Sequence, residues 1–304
     1  MVAQGSGASS APADVRADAV ASTDSAWPYV SLGLGFVIAG AIAATRGAGL
    51  GSAPAFRWSL APASSFCLFL AMFVGGGMAA WTTRTWLALP DSFGPDALRI
   101  TVVAGISSWL FQMAAYGICI HESASRTKLT APNPAETSST NERWSFWPAF
   151  GLGALALASC WIPLQSIGSI VASVQVWLGG AEPPATGHST LALLAASDNA
   201  WLRAGMIAIA VVLAPMTEEI KFRGAAQQGF RGLGIPRRWA IVCASVLFAL
   251  VHIGVLTEGA EASGLAVLFA LSLLLGWLAE RTGRLAAPIG AHAAFNAANL
   301  FIAL

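Results

Sequence analysis

Charge is what this chain most lacks. Only 10% of its 304 residues are Asp, Glu, Lys or Arg, whereas 56% are hydrophobic; soluble domains carry about 25% charged residues. The formal net charge is +1, so the chain has neither the basic surface of a nucleic-acid-binding protein nor an acidic tail. This balance is typical of a polytopic membrane protein whose helices lie in a lipid bilayer.

Cysteine is also scarce. The four cysteines each lie within an apolar run and no two form a close pair: Cys67, Cys119, Cys160 and Cys243. Disulfide frameworks and thiolate metal sites both show paired spacings in sequence. The pattern therefore argues against both, and we expect these side chains to act as small hydrophobic groups.

Long apolar runs dominate the rest of the chain, and a helix needs about 20 such residues to cross a bilayer. We predict an all-α fold, a transmembrane helical bundle of about eight spans, at 28–45, 60–81, 100–120, 146–163, 200–217, 239–256, 264–280 and 285–303. Because proline interrupts helices, Pro163 predicts that residues 164–179 form a separate interfacial or re-entrant helix. The last four spans are expected to form a conical or open cavity.

Composition divides the chain into three regions. Residues 1–26 are rich in Ala, Ser and Asp and contain no aromatic residue, which predicts a disordered tail. Residues 27–198 hold the N-terminal spans and a flexible polar loop at 121–144. Residues 199–304 form the third region, and the motifs that indicate chemistry all lie there.

Lys and Arg are distributed unequally between the two sides of the predicted membrane. Of the 16 such residues, 12 fall in the loops that follow the first, third, fifth and seventh spans. Since cytoplasmic loops are enriched in Lys and Arg, both termini are predicted outside and the 218–238 connection in the cytoplasm. We expect a multi-pass protein of the plasma or cytoplasmic membrane.

The stretch APMTEEIKFRG places two adjacent glutamates directly after an apolar run. On a helix, Glu219 and Arg223 are four residues apart with the acid first, which favours an ion pair. Glu218 points elsewhere and has only Lys221 at a pairing distance along its own helix. Pro215 predicts a kink or a restart just upstream. The pattern indicates that Glu219 holds Arg223 while Glu218 points into the bundle.

Two further residue pairs, each with a histidine, follow in the sixth and eighth predicted spans. Phe248 and His252 share one helix face, as do His292 and Asn296. A single histidine in a span is more often a helix-to-helix hydrogen bond than a reactive group. Three polar clusters in consecutive segments favour a site, because polar groups at membrane depth are costly. Short loops make these helices neighbours, so Glu218, His252, His292 and Asn296 are predicted to converge.

In this order, the motifs EExxxR, FxxxH and HxxxN resemble those of the CPBP family. That family comprises CAAX proteases and bacteriocin-processing enzymes and includes the type 2 CAAX prenyl endopeptidase. The motifs stand here as Glu218 to Arg223, Phe248 to His252 and His292 to Asn296. The resemblance covers about residues 199–304 and implies an intramembrane endopeptidase with its active site towards the cytoplasm.

The resemblance also implies a role for each motif residue. Glu218 with His252 would activate a water, and His292 with Asn296 would stabilise the oxyanion. The structural support of the site would come from Glu219, Arg223 and Phe248.

The family is often described as one of metalloproteases. Glu218, His252 and His292 could supply a His₂Glu zinc set, but Asn296 is a poor zinc ligand. No HExxH pair is present. The residues favour a glutamate mechanism without a cofactor, and zinc held by these three side chains is the alternative.

Other intramembrane protease types fit less well. The sequence has neither the HExxH of a site-2 protease nor the Gly-x-Gly-Asp of an aspartyl type, and residues 105–108 (GISS) match a rhomboid motif only loosely. The expected partners are the bilayer and a membrane protein or peptide substrate, with or without an attached lipid, and no nucleic acid. The alternative function is a non-catalytic scaffold, a bacteriocin-immunity-like factor or a transporter that uses the same polar cavity.

Overall fold

The computed structural model describes residues 58–86, 97–130, 145–184, 194 and 197–303. The predicted tail at 1–26 and the predicted span at 28–45 lie outside these residues, as do residues 131–144 of the predicted loop. The all-α prediction is confirmed.

Seven long helices run through the described part of the chain: α1 (Pro62–Trp86), α2 (Ala97–Thr130), α3 (Phe146–Trp177), α4 (Ala200–Gly232), α5 (Arg237–Leu250), α6 (Glu261–Thr282) and α7 (Ala286–Ala303). A short 3₁₀ turn, Ile253–Val255, follows α5.

The first six of these helices are long and apolar enough to cross a bilayer, α5 together with its 3₁₀ turn. They coincide with the predicted spans from 60–81 to 264–280, which are confirmed as candidate spans. The helix α7 occupies the last predicted span and has 18 residues, but it is not among the six. It carries His292, Asn296 and Asn299, which lower its hydropathy. The total of eight spans remains a prediction.

Two predicted helix ends are wrong. Pro163 lies inside one uninterrupted helix, α3, and residues 164–177 belong to that helix rather than to a separate one. Proline is tolerated within membrane helices where the surroundings re-satisfy the freed backbone groups. Leu157 and Leu164, on either side of Pro163, are buried in the same core cluster. Residues 121–130 of the predicted loop are also helical, as the last turns of α2.

The position of the glutamates also differs from the prediction. The helix α4 continues for 33 residues to Gly232, so Glu218 and Glu219 lie in its middle rather than after a span that ends at 217. The helix continues because their charges have buried partners, as described below. The connection predicted at 218–238 is therefore much shorter. It consists of the turn at 233–236 between α4 and α5, where Gly234 has a φ of 85°.

The helix α7 is fixed by very close packing. A Cβ at Gly153 of α3 would collide with the Ala287 carbonyl, and one at Gly290 would collide with the Phe150 carbonyl. Small residues permit such backbone approach in membrane helices. One hydrophobic core joins α7 to α3 and α6, and it includes Phe295 next to Asn296. This packing positions the two polar side chains of the third motif.

Candidate active site

The two adjacent glutamates of α4 lie in different environments. The side chain of Glu218 is 21% exposed and lines a cavity. The side chain of Glu219 is fully buried. Helical rotation therefore separates the pair, as the sequence predicted, and only Glu218 reaches the cavity.

Glu219 is bonded to two positively charged or protonatable groups. Its Oε1 accepts a hydrogen bond from Arg223 Nη1 at 3.0 Å, and the same oxygen lies 2.7 Å from His292 Nδ1. Its Oε2 has no partner among the described residues. The ion pair with Arg223 lies at the predicted spacing, whereas the contact with His292 was not predicted. Glu219 thus joins the first motif to the third.

Arg223 is held on three sides. Its Nη2 donates to the Ser272 carbonyl at 3.2 Å and to Ser272 Oγ at 2.7 Å. Its guanidinium stacks over the Phe248 ring, 4.7 Å from the centroid, which is within the range of a cation–π contact. The Phe248 ring also packs against His252 and His292, with centroids 4.6 and 5.7 Å apart. Phe248 therefore touches all three motifs.

Both histidines direct the same ring nitrogen towards Glu218. His252 Nδ1 lies 2.6 Å from the Phe248 carbonyl, and His292 Nδ1 faces the Glu219 carboxylate. A carbonyl or a carboxylate can only accept, so each Nδ1 carries the proton. Nε2 of His252 and of His292 lie 3.8 and 3.7 Å from Glu218 Oε2. These gaps are too long for direct hydrogen bonds, and a water-sized group would fit between them.

Pro215 explains the position of the Asn296 side chain. The segment Ile209–Leu213 is π-helical, and the Ala214 N–H bonds to the Ile209 carbonyl. In this register the next donor would be the N–H of Pro215, which proline lacks. The Ala210 carbonyl instead accepts from Asn296 Nδ2 at 2.7 Å. A carboxamide has two N–H bonds, so the second remains for a ligand.

One open cavity of about 790 Å³ holds the predicted reactive groups. Its walls include all four of the side chains predicted to converge: Glu218, His252, His292 and Asn296. The rest of the lining comes from helices α1 to α4, α6 and α7, from Pro184 and from the residues that follow α5, and it is largely apolar or small. A volume of this size is in the range of ligand-binding pockets.

A second buried polar cluster was missed in the sequence. Glu280 is fully buried, and its Oε1 accepts from the side-chain amides of Gln227 and Gln228, each at 3.0 Å. Its Oε2 lies 2.9 Å from Arg231 Nη1 and 3.5 Å from Arg237 Nε. The sequence does contain a pattern that indicates such a cluster. Polar residues recur every four positions at Glu219, Arg223, Gln227 and Arg231, and this spacing forms one polar stripe along α4.

Comparison with known families bears directly on this region. Residues 200–298 match the family model described as type II CAAX prenyl endopeptidase Rce1-like. Over these residues, about a third of the chain, the protein resembles the CAAX protease family. The match begins with α4, ends within α7 and includes every residue of the three motifs. No curated protein and no solved structure matches the chain.

The match to this family model implies a membrane protease. Together with six helices that are long and apolar enough to span a bilayer, it makes the chain an integral membrane protein. The cavity between the motif helices is therefore the candidate active site of a CAAX-type protease.

Proposed function

We propose that the protein is an intramembrane endopeptidase that hydrolyses a peptide bond of a membrane-associated protein or peptide. The observation that carries this proposal is the convergence of Glu218 Oε2 with the Nε2 atoms of two histidines, at 3.8 and 3.7 Å, in one cavity. Peptide hydrolysis needs an activated water, a group that stabilises the oxyanion and a proton for the leaving nitrogen. Each requirement has a candidate here.

The first step is the activation of water by Glu218. A water between Glu218 Oε2 and His252 Nε2 would donate one hydrogen to each of them. The Phe248 carbonyl holds the proton of His252 on Nδ1, so Nε2 of the neutral ring is an acceptor. As the water oxygen bonds to the carbonyl carbon, its proton passes to Glu218. Glu218 later delivers that proton to the departing nitrogen.

The oxyanion is stabilised by His292 and Asn296. His292 Nδ1–H is bonded to Glu219, so His292 can donate to the substrate only if Nε2 carries a second proton. We propose that the ring acts as an imidazolium, with Glu219 as its counter-charge. Asn296 keeps one N–H free of its bond to Ala210. Donors that are fixed before the reaction stabilise charge without reorganising, and the loss of one typically costs about 100- to 1000-fold in rate.

Glu219 has a wider role in this proposal than support of the helix. It supplies the counter-charge of both Arg223 and the imidazolium of His292. With Glu218 ionised, two carboxylates then balance one guanidinium and one imidazolium. Such neutrality matters because the uncompensated burial of charge is strongly unfavourable.

Zinc is the alternative to this scheme. The His₂Glu set of Glu218, His252 and His292 has the chemistry of catalytic zinc ligands, and both histidines have an Nδ1 partner, as zinc-bound histidines do. Asn296, which lines the same cavity, is a poor zinc ligand, and the steps proposed here use only the protein's own side chains. The metal-free mechanism is tested by measuring the metal content of the purified protein and its activity after strong chelation. A stoichiometric zinc that is lost together with activity would overturn that mechanism.

We further propose that the site opens towards the cytoplasm, on the basis of the uneven distribution of Lys and Arg. The largely apolar cavity wall supports a membrane-embedded substrate, with or without an attached lipid.

The experiment compares the termini of membrane proteins in cells that express the wild type or Glu218→Gln. New termini that depend on Glu218 would identify the substrates. Identical termini at equal expression would contradict the protease and would leave the scaffold or transport alternatives.

A further inference from the structure

Gln165 of α3 places a carboxamide in the wall of the same cavity as Glu218. It lies outside residues 200–298, which the family model covers, and the proposed reaction gives it no role. The hydroxyls of Ser166 and Ser169 on α3 donate to carbonyls of their own helix, whereas the side chain of Gln165 forms no hydrogen bond within the described residues. Its two N–H bonds and its carbonyl oxygen are therefore available to a molecule in the cavity.

A second carboxamide, that of Asn299 on α7, reaches the cavity at the same level. The helices α3 and α7 meet at the close backbone contacts near their first turns and again further along both, where the rings of Trp161 and Phe295 lie 5.8 Å apart. The two helices therefore run in the same direction. Gln165 follows Trp161, and Asn299 follows Phe295, by four residues on the same helix face. Both side chains line the cavity.

Asn299 has one hydrogen-bonding group engaged and another available. Its Nδ2 donates to the Phe295 carbonyl at 2.9 Å, whereas its Oδ1 accepts no hydrogen bond within the described residues. Gln165 thus offers donors and an acceptor, and Asn299 offers a second acceptor. Polar groups at membrane depth are costly without a partner. The ligand that matches this pair is a neutral group with both an N–H and a C=O.

We propose that Gln165, together with Asn299, is a specificity-determining residue that binds the main chain of the substrate at a peptide group close to the scissile bond. This inference rests on the proposed protease function. An extended peptide in the membrane has N–H and C=O groups that need partners, and a carboxamide can bond to both of them.

The position of the bound peptide group follows from the spacing along α7. Asn299 follows the oxyanion donor Asn296 by three residues, about 4.5 Å along the helix axis. An extended peptide rises about 3.3 Å per residue. The peptide group that meets Gln165 and Asn299 is therefore one or two residues from the scissile bond.

A polar side chain of the substrate, such as that of Gln, shares this chemistry with the main chain. The main chain is favoured because it passes the oxyanion donors in every substrate. A polar side chain would itself have to be buried in a largely apolar cavity, which is unfavourable away from its one pair of partners.

The test compares quenched fluorescent peptides in which one amide near the scissile bond is replaced by an ester, which lacks the N–H and has a weaker carbonyl acceptor. The ester is placed at each of the two bonds on either side of the scissile bond, and mass spectrometry identifies the bond that is cleaved. At one position the wild type is expected to cleave the amide about tenfold more efficiently, mainly through KM, as for the loss of a hydrogen bond in a desolvated site. Gln165→Met, which keeps the length of the side chain, should cleave amide and ester about equally.

Ser169→Ala is the matched control. Ser169 lines the same cavity one turn further along α3, but its hydroxyl is bonded within its own helix. This variant should keep the wild-type preference for the amide. Since the carboxamide of Gln165 has no partner among the described residues, Gln165→Met should unfold in detergent at the wild-type temperature. If Gln165→Met does not fold, Gln165→Leu provides the same comparison.

Three outcomes would overturn the inference. The wild type could cleave amide and ester equally at every position, or the amide preference could persist unchanged in Gln165→Met. A third series of peptides exchanges Gln for Met at the same positions. A preference that depends on Gln165 but follows this exchange, with no effect of the ester, would assign the carboxamide to a substrate side chain.

A binding measurement separates this inference from the protease proposal. Fluorescence anisotropy of the amide and ester peptides on Glu218→Gln and on Glu218→Gln/Gln165→Met requires no cleavage. An amide preference that depends on Gln165 would support the main-chain site even if no peptide were cleaved, whereas its absence would remove the site even if cleavage were normal.

Discussion

The N-terminal and C-terminal halves of the described bundle satisfy their polar groups in different ways. In α1 to α3, hydroxyl groups mostly donate to the carbonyl four residues earlier in their own helix, as Thr101, Ser166 and Ser173 do. In α4 to α7, the principal polar contacts cross between helices that are far apart in sequence. Arg223 bonds to Ser272 across 49 residues, and Asn296 bonds to Ala210 across 86.

This difference shows where the fold specifies a unique arrangement. A hydroxyl bonded within its own helix is satisfied wherever that helix packs, so it constrains no neighbour. A buried carboxylate or guanidinium bonded across helices is satisfied in one register only, because an unpaired charge is costly. The family match covers only the region with the cross-helix network. Substitutions of hydrogen-bonded side chains should therefore have large effects on function there and small ones in α1 to α3.

The largest expected effect is that of Glu218→Gln. The amide cannot take a proton from water, so we expect cleavage to fall by at least about 1000-fold, the upper part of the range for general acid–base catalysis. Thermal unfolding in detergent should be nearly unchanged, since Glu218 is partly exposed in the cavity. Glu258→Gln, at an exposed position, is the matched control. Cleavage by Glu218→Gln at the wild-type rate would exclude Glu218 as the base.

Two asparagines on α7 allow a closer comparison within the cavity. Asn296 bonds across to α4, whereas Asn299 Nδ2 donates to the Phe295 carbonyl four residues earlier in its own helix. Asn296→Ala should lower kcat about 100- to 1000-fold through loss of an oxyanion donor, and Asn299→Ala only a few-fold. Single-turnover cleavage measures both. Equal losses would mean that Asn296 acts through the shape of the cavity rather than as a donor.

Glu219→Gln should destabilise the protein and also reduce its activity. It leaves the buried Arg223 without its counter-charge, and breaking a buried ion pair from one side costs about 3–5 kcal/mol. The double variant Glu219→Gln/Arg223→Met should recover part of the stability but not the activity, because His292 still lacks its partner. Reversible unfolding in mixed micelles, measured beside cleavage, tests this. Full recovery of both would show that Glu219 acts only on Arg223.

The contrast between contacts within one helix and contacts between helices also explains how much of this site the sequence predicts. Spacing along one helix is readable, so the pairing of Glu219 with Arg223 and the different direction of Glu218 were predicted. Contacts between helices depend on rotation and register, which composition does not encode. The bond from His292 to Glu219, the role of Ser272 and the burial of Glu280 were therefore missed. The misplaced end of the fifth span has a related cause, since hydropathy counts charges and cannot recognise that buried partners neutralise them.

The Glu280 cluster should contribute to stability but not to the reaction. It ties α4 and the start of α5 to α6 and lies several turns from Glu218, so Glu280→Gln removes an ion pair without touching the cavity. We expect a loss of about 3 kcal/mol in the free energy of unfolding and an unchanged kcat in the fraction that remains folded. A large fall in kcat at low temperature, where the variant is folded, would instead connect this cluster to the geometry of the site.

The smallest expected effects distinguish two prolines that lie within helices. Pro163 lies in α3, where the helix continues past it, so Pro163→Ala should leave activity unchanged and alter stability by about 1 kcal/mol or less.

Pro215→Ala supplies the N–H that the π-helical register of α4 lacks, and this donor competes with Asn296 for the Ala210 carbonyl. Asn296 should then lose its fixed position, and kcat should fall about tenfold, because small displacements of positioned groups are costly in catalysis. If both variants cleave at the wild-type rate, the bond to Ala210 does not position Asn296. A loss confined to Pro163→Ala would reverse the assignment of function to the C-terminal helices.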